Sequence, residues 1–158
     1  MDLSTWRWLC LAAYSVHMLE EHALNWRDWA RAVIKLPVEW SGFYLTNAVV
    51  VVLGIAAAGF ASGFPAVALG FPALMIINAV LFHILPVIRC KGRFSPGLIT
   101  AVVLFLPLGW LTLRRAMQAG VVDAGGVFSA FVIGALLMAM PVVLLRIKAL
   151  PYFRQDLS

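Results

Sequence analysis

The sequence predicts an all-α protein: a polytopic membrane helical bundle with about five transmembrane helices and one interfacial amphipathic helix. Hydrophobic residues make up 63% of the 158 residues, charged residues only 12%, and the mean hydropathy is +0.96. About a quarter of the residues in soluble domains are charged, so this composition excludes an ordinary soluble protein. Residues 40–88 contain no Asp, Glu, Lys or Arg. Because a spanning helix needs roughly 20 apolar residues, this stretch holds two spans and a turn.

Shorter uncharged runs and their boundaries predict the other spans. Residues 94–113 and 124–145 each suffice for one span. The Ser-Gly-Phe-Pro run at residues 62–65 breaks the long apolar stretch. Ser95 and Pro96 are typical of a helix start, as N-cap and first helical residue. We therefore expect one domain, residues 1–158, with spans at about 4–24, 39–61, 66–88, 96–117 and 126–147 and an interfacial helix at 25–37.

The first segment is less apolar, and its core from about Leu9 to Leu19 also suits a signal peptide. However, Asp2 stands where such a peptide has basic residues, and the small residues Ala12 and Ala13 form a poor cleavage site. We therefore expect a membrane helix whose polar residues face the bundle interior.

Residues 25–37 have one apolar and one charged helical face, which predicts a helix lying in the membrane interface. Trp26 and Trp29 are on the apolar face, and tryptophan rings favour that interface. An ordinary solvated loop helix is the alternative interpretation.

Lysine and arginine positions predict the orientation. Cytoplasmic loops are enriched in these residues, and nine of the 12 fall on one side of the predicted spans. We expect this side to be the cytoplasm of a bacterium, with the N-terminus outside and the C-terminus inside. Their spread over membrane-flanking loops argues against a nucleic-acid partner. The nine are Arg27, Arg31, Lys35, Arg89, Lys91, Arg93, Arg146, Lys148 and Arg154, against Arg7, Arg114 and Arg115.

The run His-Met-Leu-Glu-Glu-His places ionisable groups at the inner end of the first span. At 100° per residue, Glu20 and Glu21 lie about 60° and about 40° to either side of His17, so the three share one face. His22 is about 140° from His17 and is a weaker candidate. We predict that His17, Glu20 and Glu21 are catalytic residues.

Other spans place polar residues at the same depth. His83 in the third span is a further predicted catalytic residue, and the predicted substrate-binding residues are Tyr14, Tyr44, Asn47, Asn78 and Thr100. Ionisable groups inside a bilayer are costly unless they pair or line a wet cavity, so they indicate function. Structural pairing of helices by these groups is the alternative. Asn78 and His83 lie about 140° apart, so both face one centre only if the helix is distorted, for which Pro86 is a candidate cause.

Three motifs in order are similar to those of a known family. His17-Met18-Leu19-Glu20-Glu21, the run from Asn78 to His83, and the run Arg93-Phe94-Ser95-Pro96-Gly97-Leu98 resemble the small membrane-protein family named after its HXXEE motif. The similarity covers roughly the first two thirds of the chain. This family has no assigned reaction, so the resemblance implies a shared site only.

Several functions remain open for this site. The first is an enzyme that performs acid/base chemistry (isomerisation, cyclisation or hydrolysis) on a lipophilic or amphiphilic small molecule, one glutamate holding a proton because adjacent buried carboxylates repel each other. The second uses His17, Glu21 and His83 as ligands of one divalent ion, Zn or non-haem Fe. A small transporter, a proton-coupled binding protein and an accessory membrane subunit are further alternatives. Membrane lipid and a second copy of the chain, in a homo-oligomer, are the other expected partners.

Overall fold

The structure, a computed structural model, describes residues 2–59, 63–148, 150 and 152. Six helices and no strand occur in this part of the chain, which confirms the predicted all-α bundle. The predicted end of the second span at residues 60–61, and Arg154, lie outside the described residues. The helices are α1 (Leu3–Ala23), α2 (Trp26–Val33), α3 (Trp40–Gly59), α4 (Pro65–Arg89), α5 (Leu98–Gln118) and α6 (Ala124–Lys148).

Four of the described helices, α3 to α6, are long and apolar enough to cross a membrane. The first predicted span, α1, has 21 residues but is not among them. Its hydropathy is lowered by polar residues, of which His17 and Glu21 are buried in the bundle. Large apolar residues such as Val16 and Leu19 are exposed on its opposite face. A membrane-embedded bundle is therefore confirmed, with four rather than five helices of clear spanning character.

The start of α1 is set by Asp2, whose carboxylate accepts hydrogen bonds from the N–H and the hydroxyl of Thr5 at 2.8 and 2.7 Å. Such an N-cap satisfies a backbone donor that has no partner within the helix. The same bonds, with the hydroxyl bond the larger cause, hold the pKa of Asp2 below its usual value.

Helix α4 is the centre of the bundle. Every residue from Ala68 to Met75 is buried, because α1, α3, α5 and α6 pack around it. Glycines allow α6 to approach closely: a Cβ atom on Gly134 would lie 2.7 Å from the backbone nitrogen of Leu74. Close approach at small residues is the usual way in which membrane helices pack.

Two helices contain π-helical segments, each followed by a proline. Residues Ala79–Ile84 of α4 precede Pro86, and residues Ala101–Phe105 of α5 precede Pro107. A proline ring clashes with the carbonyl four residues earlier and cannot donate to it, so the preceding turn widens. The distortion that we predicted near Pro86 is therefore present.

The amphipathic helix α2 is shorter than predicted, and its tryptophans do not face outward. Trp26 and Trp29 are each 8% exposed and pack with Val38 and Phe43. The chain turns back after α2, so its own apolar residues cover the face that we expected to meet lipid.

Candidate functional site

Three buried side chains come together near the end of α1, and we call them the His/Glu cluster. His17 and Glu21 lie one turn apart on α1, and His83 approaches from the π segment of α4. The Nε2 atoms of both histidines lie 3.6 Å from the Oε1 atom of Glu21. The two rings meet edge to face, with centroids 4.8 Å apart. No member of the cluster is more than 5% exposed.

A hydrogen bond at Nδ1 holds the ring of His17. Nδ1 lies 2.7 Å from the hydroxyl of Thr100, and that hydroxyl donates to the carboxylate of Glu20 at 2.6 Å. Since its proton is used there, the hydroxyl oxygen accepts from the Nδ1–H group of His17. In the tautomer that this network assigns, Nε2 presents a lone pair to Glu21.

His83 is held in the same way by a serine. Its Nδ1 atom lies 3.2 Å from the hydroxyl of Ser95, and that hydroxyl lies 3.4 Å from the carbonyl oxygen of Phe82. The hydroxyl also lies 3.5 Å from the carbonyl oxygen of Pro96. If the serine directs its proton to either carbonyl, it accepts from Nδ1–H of His83, and in that tautomer the second Nε2 also presents a lone pair to Glu21.

The cluster thus consists of converging acceptors. Neither histidine Nε2 atom has a hydrogen-bond partner among the described residues, and 3.6 Å is too long for an N–H···O bond. The three candidate ligand atoms lie within 4.8 Å of one another. Ligand atoms that bind one tetrahedral ion at about 2.0 to 2.2 Å stand roughly 3.3 to 3.6 Å apart, so the farthest pair would move together by a little more than about 1 Å. The residues present therefore fit a divalent transition-metal ion.

The π segment of α4 changes the directions in which Asn78 and His83 point. On a regular α-helix they would point about 140° apart, but in a π-helix residues five apart lie one above the other. His83 belongs to the cluster, and Asn78 lines the same cavity as Glu21.

Glu20 lies apart from the two Nε2 atoms and binds the start of α5. Its carboxylate accepts from the backbone N–H groups of Gly97 at 3.1 Å, Ile99 at 3.2 Å and Thr100 at 2.8 Å, and from the Thr100 hydroxyl. The first N–H groups of a helix have no partner within it and attract negative charge. All described hydrogen bonds of this carboxylate go to that helix start, and its catalytic role stays a prediction.

We expect the change Glu20→Gln to lower the free energy of unfolding by roughly 2 kcal/mol, because an amide replaces one charged acceptor by a donor that faces other donors. The measurement is a denaturing-detergent titration of the purified protein. Glu39→Gln is the matched control. Glu39 is 54% exposed and pairs with Arg31, so its loss should cost at most about 1 kcal/mol. Equal losses in the two variants would contradict the role of Glu20.

Gly97 allows the turn before α5 to pass directly over the His/Glu cluster. Its φ angle is +92°, in the left-handed region that favours glycine. A Cβ atom there would lie 2.5 Å from Cε1 of His83, 2.8 Å from Cε1 of His17 and 3.0 Å from Cγ of Glu21. The site therefore has no room for a side chain at this position.

The sequence analysis missed three residues of the site. Ser95, predicted as the N-cap of the fourth span, instead holds His83, and Gly97 is the N-cap. The expectation failed because Glu20, from another helix, caps α5 in place of a serine. The ring centroid of Phe105 lies 4.2 Å from that of His17. The only signal for Ser95 and Gly97 was the Ser-Pro-Gly run, and Phe105 had none.

Of the five predicted substrate-binding residues, four lie at the cluster or in the core next to it and one lies elsewhere. Thr100 and Asn78 lie beside the cluster, and Tyr14 donates to Asn47 Oδ1 at 2.6 Å in the adjoining core. Tyr44 lies elsewhere: it is 45% exposed and bonds to His22 at 2.7 Å. We grouped Tyr44 with the others only because of its predicted depth in the membrane, but its side chain points away from the bundle core.

A comparison with protein families supports the motif on which this site depends. The family model described as "Protein of unknown function with HXXEE motif" matches residues 8–112. This range includes every residue of the site from His17 to Thr100. No curated protein and no solved structure matches the chain.

Proposed function

The chain belongs to this HXXEE-motif family, and from the chemistry of its site we propose that it is a membrane-embedded, metal-dependent enzyme. The His/Glu cluster binds one divalent ion, Zn²⁺ or non-haem Fe²⁺, and the substrate is a lipophilic small molecule. The ion would supply a Lewis acid or an activated water in a site shielded from the surroundings.

One observation supports the metal above all others: three acceptor atoms face each other with no donor between them. The Nε2 atoms of His17 and His83 are buried without a described partner. Both lie 3.6 Å from Glu21 Oε1. A shared proton would bring one such pair to about 2.8 Å, whereas ligands of one ion stand farther apart. The bonds from Thr100 and Ser95 are the kind that orient metal-binding histidines.

The number of ligands favours an enzyme over a structural metal site. Structural zinc sites are closed by four protein ligands, whereas catalytic sites keep a position open for water or substrate. Two histidines and one carboxylate are also the ligands of non-haem iron oxygenases. Three side chains form the cluster among the described residues, so one or more positions remain for a reacting molecule.

A second candidate uses the same groups without a metal. Glu21 is buried, and its described ion-pair partners are the two histidines alone. A single proton shared among these groups would also satisfy them and would serve acid/base chemistry such as isomerisation, cyclisation or hydrolysis. An active preparation that contains no metal would favour this candidate.

We place the protein in a bacterial inner membrane with its N-terminus outside and its C-terminus in the cytoplasm. The asymmetry of lysine and arginine supports this orientation. The cluster lies near the C-terminal end of α1, so in this orientation the site is close to the cytoplasmic face. A substrate that partitions into lipid can reach it from the inner leaflet.

Metal analysis of the purified protein tests the proposal. We expect about one Zn or Fe per chain, and stripping with a chelator should lower the melting temperature. Metal at about 1,000 times its Kd should restore about 4 kcal/mol of stability. His22→Ala is the matched control, because His22 lies on the same helix but bonds to Tyr44; this variant should bind metal as the wild type does. A metal-free protein whose melting is unaffected by both Zn²⁺ and Fe²⁺ would refute the metal site.

A further inference from the structure

A cavity of about 730 Å³ lies between α1, α3, α4 and α6, beside the His/Glu cluster. Its wall includes Glu21 of the cluster and the neighbouring Asn78. A molecule in the cavity can therefore contact Glu21, one of the three residues of the cluster. Pockets of about 300 to 1,000 Å³ are typical for small organic ligands.

The cavity is long and opens at one end. Its lining extends from Leu137 to Ile147 along α6 and from Ser41 to Val50 along α3. At 1.5 Å per residue, the stretch of α6 is about 15 Å long. Val50 is 3% exposed, whereas Ile147 is 40% exposed. The cavity is thus closed in the bundle core and open where α3 begins and α6 ends, and it suits an elongated or flat apolar body.

The side chains of the lining disfavour an anionic ligand. Of the residues that the structure places along the cavity, none is a lysine or an arginine, and two, Glu21 and Glu39, are acidic. A phosphate or carboxylate group would find no cationic side chain there, and burying an unpaired charge is costly. Unless the ion of the His/Glu cluster binds their head groups, fatty acids and phosphorylated lipids are therefore poor occupants.

Asn78 offers the cavity an unpaired acceptor. Its Oδ1 atom is buried with no described hydrogen-bond partner, and the residue is 9% exposed. Its amide NH₂ group lies 3.9 Å from the sulfur of Met138, another residue of the cavity wall. Tyr14 and Asn47, by contrast, satisfy each other. A ligand that fits must therefore bring a hydrogen-bond donor to Asn78.

We propose that the cavity binds an uncharged long-chain or polycyclic alcohol as the substrate of the His/Glu cluster. Its hydroxyl donates to Oδ1 of Asn78, and its apolar body fills the rest of the cavity. This inference rests on the proposed metal function, because the hydroxyl oxygen has lone pairs for the open position of the ion. An alkylammonium has donors but no lone pair, so it lacks the second interaction.

Photo-crosslinking of the metal-loaded protein in detergent tests the ligand class. A dodecanol that carries a diazirine in its chain is the probe, and labelled peptides are mapped by mass spectrometry. We expect labels on cavity residues of α3, α4 and α6. Unlabelled dodecanol should compete at least about tenfold better than dodecylamine, about the loss expected for one buried unpaired charge. With metal-stripped protein, where no ion can pair with a carboxylate, it should also compete at least about tenfold better than dodecanoic acid. Equal competition by the three compounds would overturn the proposal.

Two glycines of α3 provide a matched pair of variants. A Cβ atom on Gly42 or on Gly59 meets nothing within 4 Å, so both positions accept a side chain. Gly42 lines the cavity and Gly59 does not. We expect Gly42→Trp to weaken dodecanol competition about tenfold or more by obstructing the mouth, and Gly59→Trp to leave it unchanged. Asn78→Leu should weaken it about fivefold, the effect of one hydrogen bond. Unchanged competition in both Gly42→Trp and Asn78→Leu would overturn the proposal.

Metal content, measured on the same samples, separates the two proposals. A protein with bound metal but no preference for the alcohol contradicts this inference and leaves the metal site intact. Alcohol-selective labelling that depends on Gly42 and Asn78 in a protein that binds no metal supports the ligand class and refutes the metal function.

Discussion

Replacement of His83 by alanine is expected to lower the affinity for Zn²⁺ or Fe²⁺ by more than about 100-fold, because even residues that only orient metal ligands contribute about 10- to 100-fold. Glu21→Gln should have a similar effect, since the amide cannot supply a charged oxygen. Substitutions of the orienting hydroxyls, Ser95→Ala and Thr100→Val, should fall within about 10- to 100-fold. The structure thus predicts two classes of variants that differ in the size of their effect.

Competition with a chelating dye measures these affinities, and circular dichroism of each variant checks that its helices persist. His22→Ala supplies the reference, since it removes an imidazole adjacent in sequence without touching the cluster. A His83→Ala protein that keeps wild-type affinity would mean that the ion, if bound, lies elsewhere.

The substitution Gly97→Ala is expected to disrupt the site more severely than any other single methyl group added to the chain. The new Cβ would overlap Cε1 of His83 at 2.5 Å and of His17 at 2.8 Å, at a φ of +92°. The left-handed conformation costs alanine roughly 1 to 2 kcal/mol, and overpacking adds about 1 to 3 kcal/mol. The turn must therefore move away from the histidines, and metal binding should be lost with it.

A substitution at Gly92 separates the cost of the backbone conformation from the cost of the steric overlap. It has a similar φ of +88°, but a Cβ there meets nothing within 4 Å. Gly92→Ala should therefore show the backbone cost alone and retain wild-type metal affinity. Thermal unfolding and metal titration of the two variants make the comparison, and equal behaviour would show that Gly97 has no special relation to the cluster.

The convergence of His17, Glu21 and His83 could be predicted because the helical face of a residue and its depth in the membrane can both be estimated from the sequence. A spacing of four residues places two side chains on one face. Polar residues at one depth in a bilayer are expected to contact each other, because each is costly there without a partner. The orientation of His83 relative to Asn78 was harder to predict, because a π-helical turn changes the angle of about 140° that a regular α-helix gives.

The different positions of Glu20 and Glu21 could not be predicted from their sequence. Both lie near the face of His17, and nothing local distinguishes the two carboxylates. The distinction comes from the turn before α5, whose N–H groups point at Glu20 from 77 to 80 residues away. Tertiary contacts likewise decided where Trp26, Trp29 and Tyr44 face.

The binding of Glu20 to the start of α5 also bears on how the chain is made. The ribosome delivers α1 before α5, with a carboxylate that α1 itself does not satisfy. The backbone donors for that carboxylate exist only after 77 more residues, up to Gly97, have been synthesised. Until then, this carboxylate has none of the backbone donors that it contacts in the folded protein. Helix α1 therefore reaches its final surroundings only after α5 has been made.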